Sequence, residues 1–456
     1  MFENVLGQSA TGRLIADIGE GRLAPAMLFQ GPPASGKGTA ALELGRVISC
    51  EAEGKRAAWN CQCPACVRHR SLSHPDMLCL GWRPFCAEIS ASAGAYLREA
   101  SVRGEADNHH GATNDRESAH SPAYMLFVRS VRKLLARFNP VLWEDDPKAG
   151  KVSSMILSLE ESLDELEQAR NEGTGNSPEK LAAQILKGAS KLEADAVSEN
   201  IPIAHLRRAA GWSHLTPSGR AKLLVIENSE RMQEEGRNSL LKLLEEPPGQ
   251  LSVVLTSSRP GSLLPTMLSR LRPYRFIARE REIEDEVIRR VFRDSKKGVG
   301  IGDYLDSFLP VSMDTIGALS AFFAASAAYK AALLSRKRGA PAANEAILLG
   351  KYCAPKAEAA GLGRPCAESG EAVALVLEKA EKFEIRSLFS RFLRCLLDTV
   401  SMSLSVDSSF LPRDAYFELW KKNTGWAENA AGVYNLRPAQ VLEKLFTDLS
   451  RGMAEL

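Results

Sequence analysis

The chain has 456 residues, of which 45% are hydrophobic and 25% are charged, and its formal net charge is +2. This balance is typical of a globular protein with two to four domains, and a net charge near zero gives no global sign of a nucleic-acid partner. The N-terminus lacks the basic and apolar regions of a signal peptide, and no apolar run approaches the roughly 18 residues of a membrane span. We therefore expect a cytoplasmic location and no membrane contact. Nine cysteines without a secretory context argue against a disulfide framework.

The first motif in the chain is a glycine-rich loop. A buried strand is predicted at residues 25–29, "PAMLF", and the loop "GPPASGKGT" comes shortly after it and opens a helix. A strand, a glycine-rich loop and a helix in this order indicate a P loop, where backbone N–H groups and the helix N-terminus face a phosphate. Gly31, Gly36 and Lys37 have the P-loop spacing, and we expect Lys37 to reach the β- and γ-phosphates.

The magnesium position of this loop is unusual. P loops normally place a Ser or Thr directly after the lysine, where its hydroxyl binds magnesium. Here that residue is Gly38, and Thr39 follows one step later. The loop therefore remains compatible with ATP binding, but standard magnesium coordination is weakened.

Four cysteines cluster just after the P-loop helix. Cys63 and Cys66 form a C-x-x-C pair, Cys61 lies close before them, and Cys50 ends the helix. Four thiolates without a vacant position would form a structural zinc site at about residues 50–66. The alternative is four reduced cysteines in a surface loop.

A polar region at about residues 85–198 predicts a helical insertion. Its segment 104–121, "GEADNHHGATNDRESAHS", has the composition of a flexible stretch. Two helical patterns follow, at residues 125–138 and 152–166, and a weaker one starts at residue 177. We expect a charge-rich antiparallel hairpin that is either a solvent-facing embellishment or an arm that docks a partner.

Strand patterns return after the insertion. Residues 221–227 and 251–258 are predicted strands with a helix at 238–246 between them, and their unbroken apolar runs suit a parallel sheet covered on both faces. After residue 278 the patterns are helical to the C-terminus. The sequence predicts an α/β domain followed by an all-helical half.

These motifs together resemble a known family. The segments "FENVLGQ", "GRLAPAMLFQGP", "SHPD", "NSLLKLLEEPP" and "LLPTMLSRLRPYRF" occur in the same order in bacterial DNA polymerase III clamp-loader subunits of the gamma/tau and delta-prime type, which are AAA+ proteins. The resemblance implies an AAA+ nucleotide-binding domain over residues 1–277, a helical lid over 278–335 and a helical collar for oligomerisation over 336–456.

The resemblance also implies partners. Members of the family form a hetero-pentameric ring of gamma/tau, delta and delta-prime subunits that loads the sliding clamp onto primed DNA. Each ATP lies between neighbouring subunits, and the Arg of a Ser-Arg-Cys motif reaches into the next subunit's site. That motif is Ser269–Arg270 here, with Leu271 in place of Cys. We expect Arg270 to act as an arginine finger in trans, because a guanidinium can neutralise charge on the γ-phosphate.

The strand that ends at residue 227 decides between the subunit types. Hydrolysing members carry Asp-Glu here: the first carboxylate holds magnesium and the second polarises water. This chain has Glu227, which could still face a metal, and Asn228, which cannot act as a base. Glu230 could replace that base if the chain is helical there. The family's Gly-Ser-x-Arg-Asp stretch is also not found in the lid.

We therefore expect a delta-prime-type subunit that donates Arg270 to a neighbour and has little or no ATPase activity of its own. One alternative is a gamma/tau-type ATPase with degenerate motifs, and a more remote one is a P-loop nucleotide kinase, suggested by "GKGT".

Overall fold

The computed structural model describes residues 1–53, 56–107, 121–172, 176–198, 200–339, 344–383, 386–405, 413–432 and 436–456. These residues form two compact units, Met1–Phe308 and Leu309–Leu456. The boundary between the units lies inside the predicted lid, so the predicted division into three domains stays a prediction.

A five-stranded parallel sheet organises the first unit. Its strands in chain order are β1 (Ala26–Gln30), β2 (Met77–Leu80), β3 (Lys222–Ile226), β4 (Leu251–Ser257) and β5 (Arg272–Arg275). Their spatial order is β2-β3-β4-β1-β5, so β1, which leads into the P loop, pairs with both β4 and β5. The sheet and its strand order fit the predicted AAA+ domain.

Helices cover both faces of the sheet. The helices that belong to this layer are α1 (Ser9–Gly19), α2 (Lys37–Ile48), α3 (Pro64–Arg70), α9 (Ile203–Ser213), α10 (Glu234–Glu245) and α11 (Pro265–Leu268). Successive β1 side chains point to opposite faces: Met27 joins the apolar core that contains Leu44 of α2, and Leu28 joins the core that contains Leu206 and Leu240. Burial on both faces explains the apolar runs of β1 to β4, whereas β5, with the sequence "RPYR", has a single buried side chain.

The predicted insertion is helical, as expected. It contains α4 (Phe85–Asp107), α5 (Pro122–Leu135), α6 (Pro140–Trp143), α7 (Ala149–Glu172) and α8 (Pro178–Ala196). α7 and α8 are antiparallel, since Lys151 near the start of α7 pairs with Asp195 near the end of α8 at 3.0 Å. The polar composition gave no sign of α4. The predicted flexible stretch overlaps the end of α4, and its residues 108–120 lie outside the described residues.

The insertion has an apolar core of its own, which includes Phe127, Leu159 and Ile185. Two short helices after the sheet, α12 (Arg281–Val291) and α13 (Ile301–Asp306), pack against its first helix, because Ile288 and Tyr304 share a buried cluster with Ala91 of α4. The start of the insertion therefore packs against the rest of the first unit, and the two interpretations, a solvent-facing embellishment or a partner-docking arm, both stay predictions.

Every element in the described part of the second unit is a helix, as the sequence predicts. The helices are α14 (Met313–Lys337), α15 (Asn344–Ala359), α16 (Ser369–Lys379), α17 (Arg386–Ser405), α18 (Arg413–Gly432) and α19 (Pro438–Glu455). Phe323 of α14 makes edge contacts with Phe392 and Phe446, at ring-centroid distances of 5.7 and 5.6 Å. By length and composition alone α14 could span a membrane, but most of its apolar stretch is buried inside the protein, as in the core helix of a soluble unit.

Candidate functional site

The P loop has the predicted strand-loop-helix context between β1 and α2. Gly36 needs its glycine backbone, with φ of 92°, and a Cβ on Gly31 would lie 2.2 Å from the Phe276 carbonyl oxygen. The Lys37 ammonium donates hydrogen bonds to the carbonyl oxygens of Gly31 at 2.7 Å and Pro32 at 2.6 Å. Burial lowers the pKa of Lys37 to about 8, although the nearby Glu230 and Glu227 carboxylates act in the opposite direction. Lys37 therefore faces the same space as two carboxylates.

The magnesium position is filled by a side chain from the end of β3. Glu227 is buried, and its Oε1 atom lies 2.3 Å from where a Cβ on Gly38 would be. A Ser or Thr at position 38 would therefore collide with this carboxylate. The Thr39 hydroxyl does not replace the missing one, because successive helical residues project about 100° apart around the helix axis. The absence of a side chain at Gly38 thus leaves room for the Glu227 carboxylate.

Glu227 is already paired with two arginines that sequence reasoning missed. The Arg137 guanidinium forms a hydrogen-bonded ion pair with Glu227 Oε2, and Arg83 Nε lies 3.9 Å from the same oxygen. Arg137 lies in a 3-10 turn after α5, and Arg83 precedes α4, so both come from the insertion or its entrance. Ninety positions separate Arg137 from Glu227, and no local motif links them.

These arginines belong to a larger buried charge network. Glu88 of α4 forms ion pairs with Arg83 and with Lys133 of α5. Burial alone would raise the pKa of the Glu88 carboxyl, but Arg83 and Lys133 outweigh it and lower that pKa to about 2. The insertion thus places three cations and one carboxylate beside Glu227.

This donor set does not fit magnesium. Mg²⁺ needs octahedral oxygen coordination with carboxylate, hydroxyl or water ligands. Here position 38 has no hydroxyl, and the Glu227 carboxylate contacts a guanidinium. The predicted role of Glu227 in metal and nucleotide binding is therefore not supported for the metal.

The Asn228 side chain is hydrogen-bonded to the segment that follows β2. Its backbone is left-handed, with φ of 50° and ψ of 54°, a conformation that Asn tolerates better than most residues. Its side-chain Nδ2 donates to the Trp82 carbonyl oxygen at 2.7 Å. Asn228 therefore has a structural role in joining β3 to the start of the insertion.

Glu230 stays close to the P loop. It lies in a 3-10 helix, Ser229–Arg231. The chain is therefore helical there, which was the condition for Glu230 to replace the missing base. Its Oε1 atom accepts hydrogen bonds from the Ser258 backbone N–H at 3.1 Å and hydroxyl at 2.7 Å. Oε2 is buried and accepts no hydrogen bond from the described residues. Glu230 is close enough for its charge to raise the pKa of Lys37.

The predicted finger lies on the surface. Arg270 follows α11, its side chain is 34% exposed, and it forms an ion pair with Glu245 of α10 at 2.7 Å. Its Nη1 atom also donates to the Thr266 carbonyl at 2.6 Å, and the Ser269 hydroxyl donates to the same carbonyl at 3.0 Å. Leu271, which stands in place of the family's cysteine, is buried in the core beneath the sheet. The apolar residue at that position thus serves packing.

The four predicted cysteines come together. The sulfurs of Cys50, Cys61, Cys63 and Cys66 all lie within 4.8 Å of one another. Cys50 Sγ is 3.8 Å from Cys61 Sγ and 3.9 Å from Cys63 Sγ. A tetrahedral zinc with Zn–S bonds of about 2.3 Å needs sulfurs about 3.8 Å apart, so the cluster fits structural zinc.

The cluster is connected to the P-loop helix. Arg46 of α2 is buried, donates to Cys66 Sγ at 3.4 Å and pairs with Glu43 at 2.5 Å. Burial acts to raise the pKa of Cys63, but backbone hydrogen bonds from Cys66 and Glu51 lower it to about 6. Burial and the neighbouring Cys63 and Cys50 raise the pKa of Cys66, although the Arg46 guanidinium acts in the opposite direction. In the metal-free chain the surroundings therefore favour the thiolate at Cys63 and not at Cys66.

Comparison with known proteins gives a consistent assignment. A family model described as DNA polymerase III, delta subunit, matches residues 7–100 and 148–280, about half of the chain. The chain is 36% identical to the DNA polymerase III subunit delta' of Pseudomonas aeruginosa over 80 residues, which are 17% of this chain and 24% of that protein.

A solved DNA polymerase III gamma subunit-related protein from Thermotoga maritima is 17% identical, with 60% of this chain and 90% of that chain covered. Its TM-score of 0.27 is too low to carry weight. The family match, by contrast, runs through the P loop, the cysteine cluster and strand β3. The chain belongs to the gamma/tau/delta-prime family of DNA polymerase III clamp-loader subunits.

Proposed function

We propose that this chain is a delta-prime-type subunit of the DNA polymerase III clamp loader. It donates Arg270 to the ATP site of a neighbouring subunit and has little or no ATPase activity itself. It works in the cytoplasm with gamma/tau and delta subunits in a hetero-pentameric ring that places the sliding clamp on primed DNA. Family membership argues against the nucleotide-kinase alternative.

The pairing of Glu227 with Arg137 carries this proposal. A hydrolysing subunit needs a carboxylate for magnesium and a second group that activates water. Here the first carboxylate pairs with a guanidinium, and the second position holds an amide that donates to Trp82. Both requirements of hydrolysis are therefore missing from the positions that normally supply them.

The exposure of Arg270 supports the finger role. A finger has to leave its own subunit. Among the described residues, Arg270 forms an exposed ion pair with Glu245 and donates hydrogen bonds to Thr266 and Ser269. Exposed ion pairs contribute about 0–1 kcal/mol, so breaking this one costs little. The lid at residues 278–335 and the collar at 336–456 remain part of the same proposal.

Steady-state ATP hydrolysis by the purified chain tests the proposal. We expect turnover near background, with no difference between the natural chain and Lys37→Ala. Turnover comparable to that of a gamma/tau subunit, and lost in Lys37→Ala, would exclude a delta-prime-type role.

Glu230 supports a second candidate, a gamma/tau-type ATPase with a displaced base. Its Oε2 atom is buried and accepts no hydrogen bond within the described part of the chain, and its charge acts on Lys37. In that case Glu230→Gln would abolish the hydrolysis of the isolated chain, whereas Asn228→Ala would leave it intact.

A further inference from the structure

Arg137 pairs with Glu227, which stands at the end of β3 where a P-loop ATPase carries its metal-binding carboxylate. We propose that the Arg137 guanidinium, with Arg83 behind it, permanently replaces the divalent cation, so that this P-loop site takes no magnesium. Any nucleotide phosphate that enters then meets a guanidinium and the Lys37 ammonium in place of a metal. This inference deepens the proposed function, but its test measures metal binding and stability, so either proposal can fail without the other.

The charge balance of the buried network favours this assignment. Arg83, Lys133 and Arg137 provide three positive charges, and Glu88 and Glu227 provide two negative charges. Arg129, which acts on Glu88, and Glu193, which acts on Arg83, add one formal charge of each sign. The network therefore has a formal excess of one positive charge without a metal. A dication would add two more positive charges in a poorly solvated site, where repulsion between like charges is strongest.

Both oxygens of Glu227 have fixed surroundings. Oε2 faces the Arg137 guanidinium, and Oε1 lies over Gly38, in the space that a side chain at that position would need. The carboxylate thus takes the space of the Cβ atom that would carry a metal-binding hydroxyl at position 38. A metal would have to share this carboxylate with Arg137 and would find no hydroxyl ligand at position 38.

Arg137 is held firmly in place. It is 9% exposed, its guanidinium lies 5.2 Å from the centroid of the Phe85 ring, and its carbonyl accepts a hydrogen bond from Trp143 Nε1 at 3.0 Å. Arg83 also lies 5.2 Å from the Phe85 centroid. The two guanidiniums are therefore positioned by packing on one aromatic ring before any ligand binds.

Part of this charge network lies outside the segments of the chain that match the family model. The family model matches residues 7–100 and 148–280, and Lys133 and Arg137 lie in the segment between. The insertion thus supplies to the P-loop site what a magnesium ion supplies in a hydrolysing subunit: a positive charge against the carboxylate at the end of β3.

The decisive test is Mn²⁺ binding to the full-length chain, measured by electron paramagnetic resonance with and without ATP. We expect no saturable Mn²⁺ beyond the amount that free ATP binds, and no difference between the natural chain and Glu227→Gln. A stoichiometric Mn²⁺ site that Glu227→Gln removes would overturn the proposal. Comparison with Glu227→Gln also separates this site from adventitious binding at the cysteines.

A thermal unfolding series tests the ion pair itself. Arg137→Met should lower Tm by roughly 5 °C or more, because it leaves a buried carboxylate without its main partner. The double variant Arg137→Met/Glu227→Gln should recover most of the loss, and MgCl2 should raise the Tm of Arg137→Met but not of the natural chain. Arg289→Met, which breaks an exposed pair with Glu286, is the control and should be neutral. Independent effects at positions 137 and 227 would also overturn the proposal.

Discussion

Asn228 joins strand β3 to the start of the insertion, because its Nδ2 atom donates to the Trp82 carbonyl oxygen over 2.7 Å. The same residue adopts a left-handed backbone conformation, and its backbone N–H donates a second hydrogen bond to Thr256 Oγ1 at 3.1 Å. Local structure therefore favours an asparagine at position 228, in addition to the absence of a catalytic base there.

This relationship predicts that Asn228→Glu does not restore hydrolysis. Glutamate loses the amide donor to Trp82 and is strained in the left-handed region, so we expect the free energy of unfolding to fall by roughly 1–3 kcal/mol. ATP turnover of the isolated chain should stay at background, because Glu227 remains paired with Arg137. Asn228→Gly is the matched control, since it keeps the backbone conformation and loses only the hydrogen bond. A gain in turnover in Asn228→Glu would show that the missing base alone limits hydrolysis.

Gly38→Ala is predicted to destabilise the protein by roughly 1–3 kcal/mol, although alanine normally favours a helix over glycine. The added Cβ would lie 2.3 Å from Glu227 Oε1, and the carboxylate cannot move aside without leaving Arg137. Chemical denaturation measures the change. Gly12→Ala is the control, because Gly12 lies in α1 with nothing within 4 Å of an added Cβ. In a Glu227→Ala background the cost at position 38 should disappear; if it persists, Glu227 is not its cause.

The buried Lys37 predicts a pH dependence. Its pKa is about 8 in the folded chain against a usual 10.5, so between these values the unfolded state binds more protons and stability rises with pH. The shift corresponds to roughly 3 kcal/mol at most, gained as pH rises from about 8 to above 10. The measurement is the unfolding free energy of the natural chain minus that of Lys37→Met as a function of pH. A flat difference across this range would mean that Lys37 titrates normally.

One zinc ion per chain is predicted from the cysteine cluster. Elemental analysis of freshly purified protein should find it, and Cys61→Ser should lose it and unfold at lower temperature, because zinc binding contributes to folding. Cys366→Ser is the control, since Cys366 lies outside the cluster and should keep the metal. Two results together would contradict a structural zinc: no metal in the freshly purified natural chain, and the same Tm for the natural chain and the Cys61→Ser variant.

The parts of the site that the sequence predicted are local in the chain. Lys37 follows a loop whose glycines and neighbouring strand identify it, and the sulfurs from Cys50 to Cys66 lie within 17 positions of one another. Strands β1, β3 and β4 were predictable because burial on both faces leaves unbroken apolar runs, whereas β5 has the sequence "RPYR" with one buried side chain and gives no such signal.

The pairing of Arg137 with Glu227 could not be predicted in this way. The pair joins residues that are 90 positions apart in the chain. Arg137 lies in a polar region whose helices form their own apolar core, so the sequence gives no sign that this region contacts the end of β3. The sequence identified Gly38 and Glu227 as two separate departures from the motif. Only the three-dimensional contact shows that the glycine makes room for the longer acid.

The central claim is that this subunit serves a neighbour's ATP site and not its own. The most direct measurement is ATP turnover of the reassembled clamp loader containing Arg270→Ala. We expect a several-fold fall with assembly intact, since a finger in trans is worth about 10³–10⁵ in turnover at the site it serves while other sites keep their own. Glu245→Ala removes the partner of Arg270 within the chain and should leave turnover unchanged. Unchanged turnover in an assembled Arg270→Ala loader, or an equal loss in Glu245→Ala, would contradict the claim.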